Sequence, residues 1–496
     1  MTDPVELSGA GLTIPALSDI AEGREVKLSA QGRASMQRTR DVLMSAIAEG
    51  RPMYGITTGL GPRVVERLSP DAQVRMSVNT VRGRAHAVGR ALPVPVVRAA
   101  MAVRINGLLT GASGADPALA DLLAGCLNAG LTPVIGETGS IGAADLMWGG
   151  MMGLALLGEG EMDTPSGRLP SARALEAVGL RPYNPGPREG LAMVSHSATV
   201  AGIAAMGLAR FVVAFETLQT AAAMSLEGFR GNLTPFDPDV LAKRPQPGQD
   251  VAAEGILRRL EGSLLRMPGN ARRVQDPLSM RNIPQIHGAV LAAQDFAREA
   301  VETEINGASD NPVVLAERDE ILSAGGYLTP HLSIALTTLN QAILHAASAQ
   351  VARMAKTLMP RFTDLPVGLA SADVDSAGIA PATKTSEALF SEIVQLAQPS
   401  PVYPSGAADG VEDVVTHSAI PAKALHDICE RLELLSAMEL MIGCQAVELR
   451  ALDTVAPKIA TAMATVRKTV PPVTVDRSLS ADIESLADIV RIGAFA

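Results

Sequence analysis

The sequence predicts a mainly α protein built as a large helical bundle, and three observations carry that expectation. Of 496 residues, 47% are hydrophobic but only 3% aromatic. Strands favour aromatic and β-branched side chains, whereas a chain this poor in aromatics and dominated by Ala, Leu, Val and Met is expected to favour helix. Long stretches of helical apolar period, separated by Pro and Gly, run over roughly 190–227, 249–266, 285–306, 328–357, 382–397 and 421–450. In the last of these, Ile428, Leu432, Leu435, Met438 and Ile442 recur at steps of three or four and share one helical face, as a bundle core or subunit interface requires. At 1.5 Å per residue such helices are rods of about 25 to 55 Å, which bury their apolar faces only by packing on one another.

Taken in order, residues 1 to about 30 alternate short apolar pieces with Gly and Pro, and a first helix is expected from Ala34 to Ala48. Pro52-Met53-Tyr54-Gly55-Ile56-Thr57-Thr58-Gly59-Leu60-Gly61-Pro62 then forbids regular helix. A loop with a lone aromatic hydroxyl, Tyr54, is a place where functional side chains sit. Ser69 to Ala129 reads as helical, with breaks at Leu92-Pro93-Val94-Pro95 and Gly111 to Gly114. Gly139-Ser140-Ile141-Gly142-Ala143-Ala144-Asp145-Leu146, after Pro133 and Gly136, reads as a tight turn feeding an apolar helix through Leu157. Residues 160–188 are polar and rich in Pro and Gly, a surface excursion. The expected organisation is an N-terminal domain over 1–200 carrying both loops, a central long-helix bundle over 201–450, and a C-terminal tail over 451–496 packing on it.

A net charge of −10 argues against nucleic acid or an anionic membrane as partner, since both need a basic surface. Cys126, Cys429 and Cys444 are widely spaced without a CxxC pair, so buried free thiols are expected, with neither a disulfide framework nor a metal site. The N-terminus lacks a basic segment followed by an apolar one, so no signal peptide is read and a cytoplasmic location is expected. The longest apolar run, Val200 to Met224, is interrupted by Arg210, Glu216 and Gln219, as befits a core helix and not a membrane span. Met193, Met206 and Met224 are core filler.

The Gly139–Leu146 loop resembles the cofactor loop of the histidine and aromatic amino acid ammonia-lyases, Gly-Ser-x-Gly-Ala-Ser-Gly-Asp-Leu, which cyclises into an electrophilic methylidene-imidazolone. Three further blocks carry the resemblance. Tyr54-Gly-Ile-Thr-Thr-Gly-Leu-Gly is similar to Tyr-Gly-x-Asn-Thr-Gly-Phe-Gly. Gln275-Asp-Pro-Leu-Ser-Met-Arg-Asn-Ile-Pro-Gln-Ile-His-Gly288 is similar to Gln-Asp-Pro-Tyr-Ser-x-Arg-x-x-Pro-Gln-x-x-Gly. Glu304-Ile-Asn-Gly-Ala-Ser-Asp-Asn-Pro312 nearly matches Glu-x-Asn-Ser-x-Thr-Asp-Asn-Pro. The resemblance implies the almost all-helical subunit of the aromatic ammonia-lyase/fumarase-like superfamily, assembled as a homotetramer with active sites shared between subunits. It puts Tyr54 where the family keeps the base that removes the β-proton, a role a Tyr fills if neighbouring cations or donors lower its pKa of about 10. It puts Arg281 where the substrate carboxylate binds, a two-oxygen target suited to a guanidinium fork. Asn311 and Tyr327 match pocket-lining positions. Glu412, in Gly410-Val-Glu-Asp413, matches a Glu that meets the imidazole in histidine enzymes. Lys384, in Pro381-Ala-Thr-Lys-Thr-Ser-Glu387, lies one turn from the residues that line the family's aromatic pocket.

The departures gather around the cofactor. Ala143-Ala144 replaces Ala-Ser-Gly, so neither the Ser that dehydrates nor the Gly nitrogen that attacks is present. The second family Tyr is Leu278, the pocket Asn is Ser195, and Arg84 falls where histidine-specific enzymes keep a His, with His86 two residues on. A primary amine is a poor leaving group that the electrophile improves; a quaternary nitrogen has no lone pair to attach and leaves as a neutral amine. The resemblance is therefore nearest to the ergothionase-type members that lack the ring. These eliminate trimethylamine from ergothioneine, an amino acid betaine, to give thiourocanate with no cofactor. Tyr54 would take the proton, Arg281 would hold the carboxylate, and Lys384 with Glu412 would bind the thioimidazole. Three alternatives stay open: a conventional histidine or aromatic ammonia-lyase with an altered loop, a non-catalytic ligand-binding paralogue, and a lyase for another betaine such as hercynine.

Overall fold

The structure is a computed structural model that describes residues 3–59, 65–370 and 375–496. Its internal contacts divide the chain into two units. The first comprises Met1–Ala209, Arg298–Leu336 and Ser400–Lys423, and the second Arg210–Ala297, Thr337–Pro399 and Ala424–Ala496. Both are discontinuous in sequence, whereas the segments expected over 1–200, 201–450 and 451–496 are contiguous. The reason is helix length: Ala198–Phe229, Ile283–Asn306, Pro330–Thr357 and Ala419–Arg450 each contribute residues to both units.

The first unit opens with a helix the sequence reading did not isolate, Ile14–Ala21, between strands Val5–Leu7 and Val26–Leu28, which pair in parallel. Thr13 caps it by accepting from the Ala16 N–H at 3.3 Å. Helices Ala30–Ala48, Pro70–Arg82 and Pro117–Asn128 start in the same way, on Ser29, Ser69 and Asp116, the last two followed at once by Pro. Helix Val94–Leu109 is buried without interruption from Val96 to Leu109, so it forms the centre of this unit. The polar stretch after residue 160 is ordered: Glu161–Thr164 and Gly167–Pro170 form a hairpin, joined by Thr132–Pro133, and helix Ser171–Ala177 follows.

In the second unit the expected face is fully inside, with Ile428, Leu432, Leu435 and Met438 at 0% exposure and Ile442 at 1%. The polar interruptions of the apolar helix are neutralised there. Arg210 grips Glu433 through two bonds of 2.6 and 2.7 Å, and Arg259 bonds Glu216. Arg353 and Glu439, both wholly buried, pair at 2.7 Å, and Ser225 donates to the same carboxylate. The Glu189–Phe229 stretch is apolar and long enough to cross a membrane by length and composition, but its most apolar window is 72% buried within the protein, as in a core helix. It is also not one rod, because the helix breaks at residues 195–197 between Glu189–Val194 and Ala198–Phe229. The three cysteines are free and buried.

Candidate active site

A cavity of about 490 Å³ in the first unit gathers six of the residues singled out from the sequence: Tyr54, Arg84, Ser195, Asn311, Tyr327 and Glu412. Ala143 and Ala144 form part of its wall. Five of them come from different turns and loops, and Glu412 from the start of a short strand. Tyr54 sits in a turn closed by the Met53 carbonyl, which accepts from the N–H groups of Ile56, Thr57 and Thr58. Thr57 Oγ1 secures the turn by accepting from the Met53 N–H at 2.8 Å and donating to the Arg51 carbonyl at 2.6 Å. The rest of the Gly-rich loop, residues 60–64, lies outside the described residues. Arg84 follows the end of helix Pro70–Arg82, and Glu412 begins the strand Glu412–Val414, which pairs with Pro404–Ala407.

Three ionisable groups of this cavity, Tyr54, Arg84 and Glu412, are coupled electrostatically. Burial holds the Arg84 guanidinium below its usual range, while Tyr54 and Glu412 act on it in the opposite sense. Burial raises the Glu412 carboxyl, and Arg84 pulls it back. One half-buried cation is thus in electrostatic reach of both the proposed base and the proposed ring contact.

The Gly139–Leu146 loop is tied down on every side. The Ile141 carbonyl accepts from the N–H groups of Thr416 and His417 at 3.3 and 3.0 Å, and the Gly142 carbonyl from Thr416 Oγ1 at 2.9 Å. Ala144 donates to the Tyr327 carbonyl at 3.2 Å and accepts from the His196 N–H at 3.0 Å. Gly142 has φ +76°, and a Cβ there would lie 2.0 Å from Thr416 Oγ1, so only glycine fits. The helix begins at Leu146, with Asp145 before it in the left-handed region at φ 44°.

Asp145 in this loop is buried, and the half-buried Glu304 lies in electrostatic reach of it. Asp145 accepts from Ser140 Oγ at 2.5 Å and from the Val200 N–H at 2.9 Å, and Glu304 accepts from Ser197 Oγ at 2.9 Å. Burial pushes Asp145 up to about 6 despite both donors. Burial, with Asp145 adding to it, pushes Glu304 up to about 7. The folded protein therefore holds the Glu304 proton between pH 4.5 and about 7, where the unfolded chain releases it. Stability falls as pH rises through that window, and the penalty persists above it. Glu304→Gln, which keeps the shape and cannot ionise, should raise the thermal midpoint relative to the parent more at pH 8 than at pH 5. A midpoint difference that does not grow with pH would show that Glu304 carries no such penalty.

A family model described as aromatic amino acid lyase matches residues 12–468. The chain belongs to the aromatic amino acid lyase family. Histidine ammonia-lyase of Anaeromyxobacter sp. (strain K) is 35% identical over 98% of both chains. Histidine ammonia-lyase of Symbiobacterium thermophilum is 33% identical over 99% of this chain and 97% of its own. Among solved structures, ergothionase from Treponema denticola, in complex with desmethyl-ergothioneine sulfonic acid, superimposes with a TM-score of 0.95 at 28% identity over 99% of each chain. Histidine ammonia-lyase from Trypanosoma cruzi gives 0.91 at 26% identity, over 99% of this chain and 94% of its own. The mainly helical fold and the carbon–nitrogen lyase class follow from this membership.

The ring known from this family does not fit this lyase. Its formation needs a serine to lose water and a glycine nitrogen to attack, and Ala143-Ala144 supplies neither. Other expected site residues of the lyase lie elsewhere. His86 is exposed and does not line the cavity, whereas Arg84 does. Arg281 and Lys384 belong to the second unit. Arg281 is half-buried beside Gln275, with its Nε buried and without a hydrogen-bond partner among the described residues. Lys384 is exposed on helix Ala382–Leu396. Leu278, which replaces the second family Tyr, is 63% exposed. Sequence reasoning passed over Asp413, Val411 and Ser323, which also line the cavity. Asp413 adjoins Glu412 in the quoted block, and that adjacency was the available signal.

Proposed function

We propose that this lyase eliminates trimethylamine from a betaine of a histidine-type amino acid, converting ergothioneine to thiourocanate. The observation that carries the reading is the loop itself: Ala143-Ala144 stands in the cavity wall where a ring-forming lyase needs Ala-Ser-Gly. A substrate whose nitrogen is already quaternary has no use for an electrophile. The likeness to the Treponema denticola ergothionase supports the same reading.

In the proposed reaction Tyr54, as phenolate, takes the proton from Cβ. The electrons of that bond form the Cα=Cβ double bond, the Cα–N bond breaks, and trimethylamine leaves as a neutral amine with the pair. Negative charge that develops at Cβ spreads into the thioimidazole, where Lys384 and Glu412 act on the ring and a cation near the sulfur stabilises the transition state. Arg281 clamps the carboxylate. Asn311, Ser195, Arg84 and Tyr327 surround the substrate. The assembly is a cytoplasmic homotetramer with active sites shared between subunits, so that residues of different copies complete one site.

Incubation with ergothioneine, hercynine and L-histidine, followed by assay of trimethylamine and ammonia, tests the reading. Trimethylamine from ergothioneine and no ammonia from histidine is the expected result. Turnover of hercynine at a comparable rate would remove the sulfur from the recognition. The similarity to histidine ammonia-lyases favours one second reading, deamination of histidine itself, which ammonia and urocanate from histidine would establish. Ligand binding without any product would leave a non-catalytic paralogue.

A further inference from the structure

Behind the cavity one buried anion is met by two buried cations. Asp310 is wholly inside and is gripped by Arg104 through Nη1–Oδ2 and Nη2–Oδ1 bonds, both 3.0 Å. That fork neutralises the carboxylate by itself. Arg188, also at 0% side-chain exposure, approaches the same Oδ1 at only 3.4 Å, and a second guanidinium in a dry interior is costly unless its other bonds repay it. Those bonds go to backbone. Nε donates to the Ser113 carbonyl at 3.1 Å, Nη1 to the Asn311 carbonyl at 3.1 Å and Nη2 to the Pro312 carbonyl at 3.0 Å. Arg104 touches neither of the last two; its further bond is to the Ala192 carbonyl at 2.6 Å. Arg188 also holds φ 78°, ψ −32°, a left-handed backbone that a non-glycine residue adopts only where the surroundings over-determine it.

What this clamp holds is the backbone of the one cavity residue whose amide is pre-aimed. Asn311 Oδ1 is committed to the Ala324 N–H at 2.9 Å and to Ser323 Oγ at 3.4 Å. Its Nδ2 makes no hydrogen bond among the described residues, and the residue lines the cavity. Two N–H donors thus remain for an acceptor on the substrate.

We propose that Arg188 is a positioning residue of the active site, whose fork fixes the Asn311–Pro312 backbone so that Asn311 presents its amide donors to an acceptor group of the substrate. The inference rests on the reading of this cavity as the substrate site. It does not depend on which substrate is used.

A double-mutant cycle tests it, run on whichever of ergothioneine, hercynine and L-histidine the parent enzyme turns over, with kcat and KM measured separately. Asn311→Ala should lower kcat/KM, and Arg188→Lys, which keeps charge but loses the fork, should lower it about tenfold. The double variant should then be no worse than Asn311→Ala, because both changes remove the same interaction. Arg104→Lys supplies the reference: it disturbs the same buried network, and its loss should multiply with that of Asn311→Ala. If Arg188→Lys does not fold, Arg188→Gln, which keeps amide donors, takes its place in the cycle. Losses of Arg188 and Asn311 that multiply would overturn the proposal, as would an Arg188→Lys enzyme with parental kcat/KM beside an impaired Asn311→Ala. A parental Asn311→Ala enzyme would also overturn it, while leaving the substrate reading to the product assay.

Discussion

Tyr54→Phe should abolish elimination, with trimethylamine release from ergothioneine falling about a thousand-fold, within the range of 10²–10⁴ that a positioned general base supplies. The substitution removes one oxygen and keeps the ring, and the backbone bonds to the Met53 carbonyl and the Thr57 hydroxyl that close the turn stay in place. Substrate affinity, measured by calorimetry on the inactive variant, should stay within a few-fold of the parent's. Since only the transition state needs the base, the loss belongs in kcat. A fully active Tyr54→Phe enzyme would remove Tyr54 as the base and return attention to the other groups on the cavity wall.

The second large effect is on stability. Asp310→Ala should destabilise the protein by about 3–5 kcal/mol, because it leaves two buried guanidinium groups, Arg104 and Arg188, without their shared counter-charge. The surroundings already show the stress: burial brings Arg188 down to about 10, with Asp310 opposing that shift and Arg104 adding to it. Asp310 for its part is raised by burial but held below the usual carboxylate range by Arg104 and Arg188. Urea unfolding of the purified variant, or its soluble yield where the loss exceeds the available stability, measures the effect. A change below about 1 kcal/mol, the scale of an exposed ion pair, would mean that the triad contributes little.

The helical frame was legible because its signals are long. The helices Ile283–Asn306, Pro330–Thr357, Ala382–Leu396 and Ala419–Arg450 begin and end within two residues of the expected spans. Short elements were not: Ile14–Ala21 has only eight residues, too few for a period to declare itself, and the 161–170 hairpin hid in polar, turn-rich sequence. The break at 195–197 was invisible in an apolar run. At the site, Tyr54, Arg84, Ser195, Asn311, Tyr327 and Glu412 are spread along the chain from residue 54 to residue 412 and line one cavity. Their chemistry alone did not predict that meeting; the family-like blocks around them did. Between Arg84 and His86 the sequence could not choose, since both follow the helix end at Gly83, and only packing separates the lining residue from the exposed one. The Asp310 triad and the Asp145–Glu304 pair were beyond reach for a simpler reason. Pairing across about 100 to 200 residues leaves no trace in local pattern.

The pinned Ala143-Ala144 segment also bears on how such a lyase could change its trade. Substituting Ser and Gly into the two positions would not rebuild the family's loop, because that loop has one residue more between Gly142 and Asp145. The backbone has no slack to lend, being fastened through Ala144 to both Tyr327 and His196. A ring-forming Ala-Ser-Gly would take one insertion together with one replacement, and each step alone would disturb a segment that forms part of the cavity wall. Point substitution alone therefore cannot give this loop the length that ring formation needs.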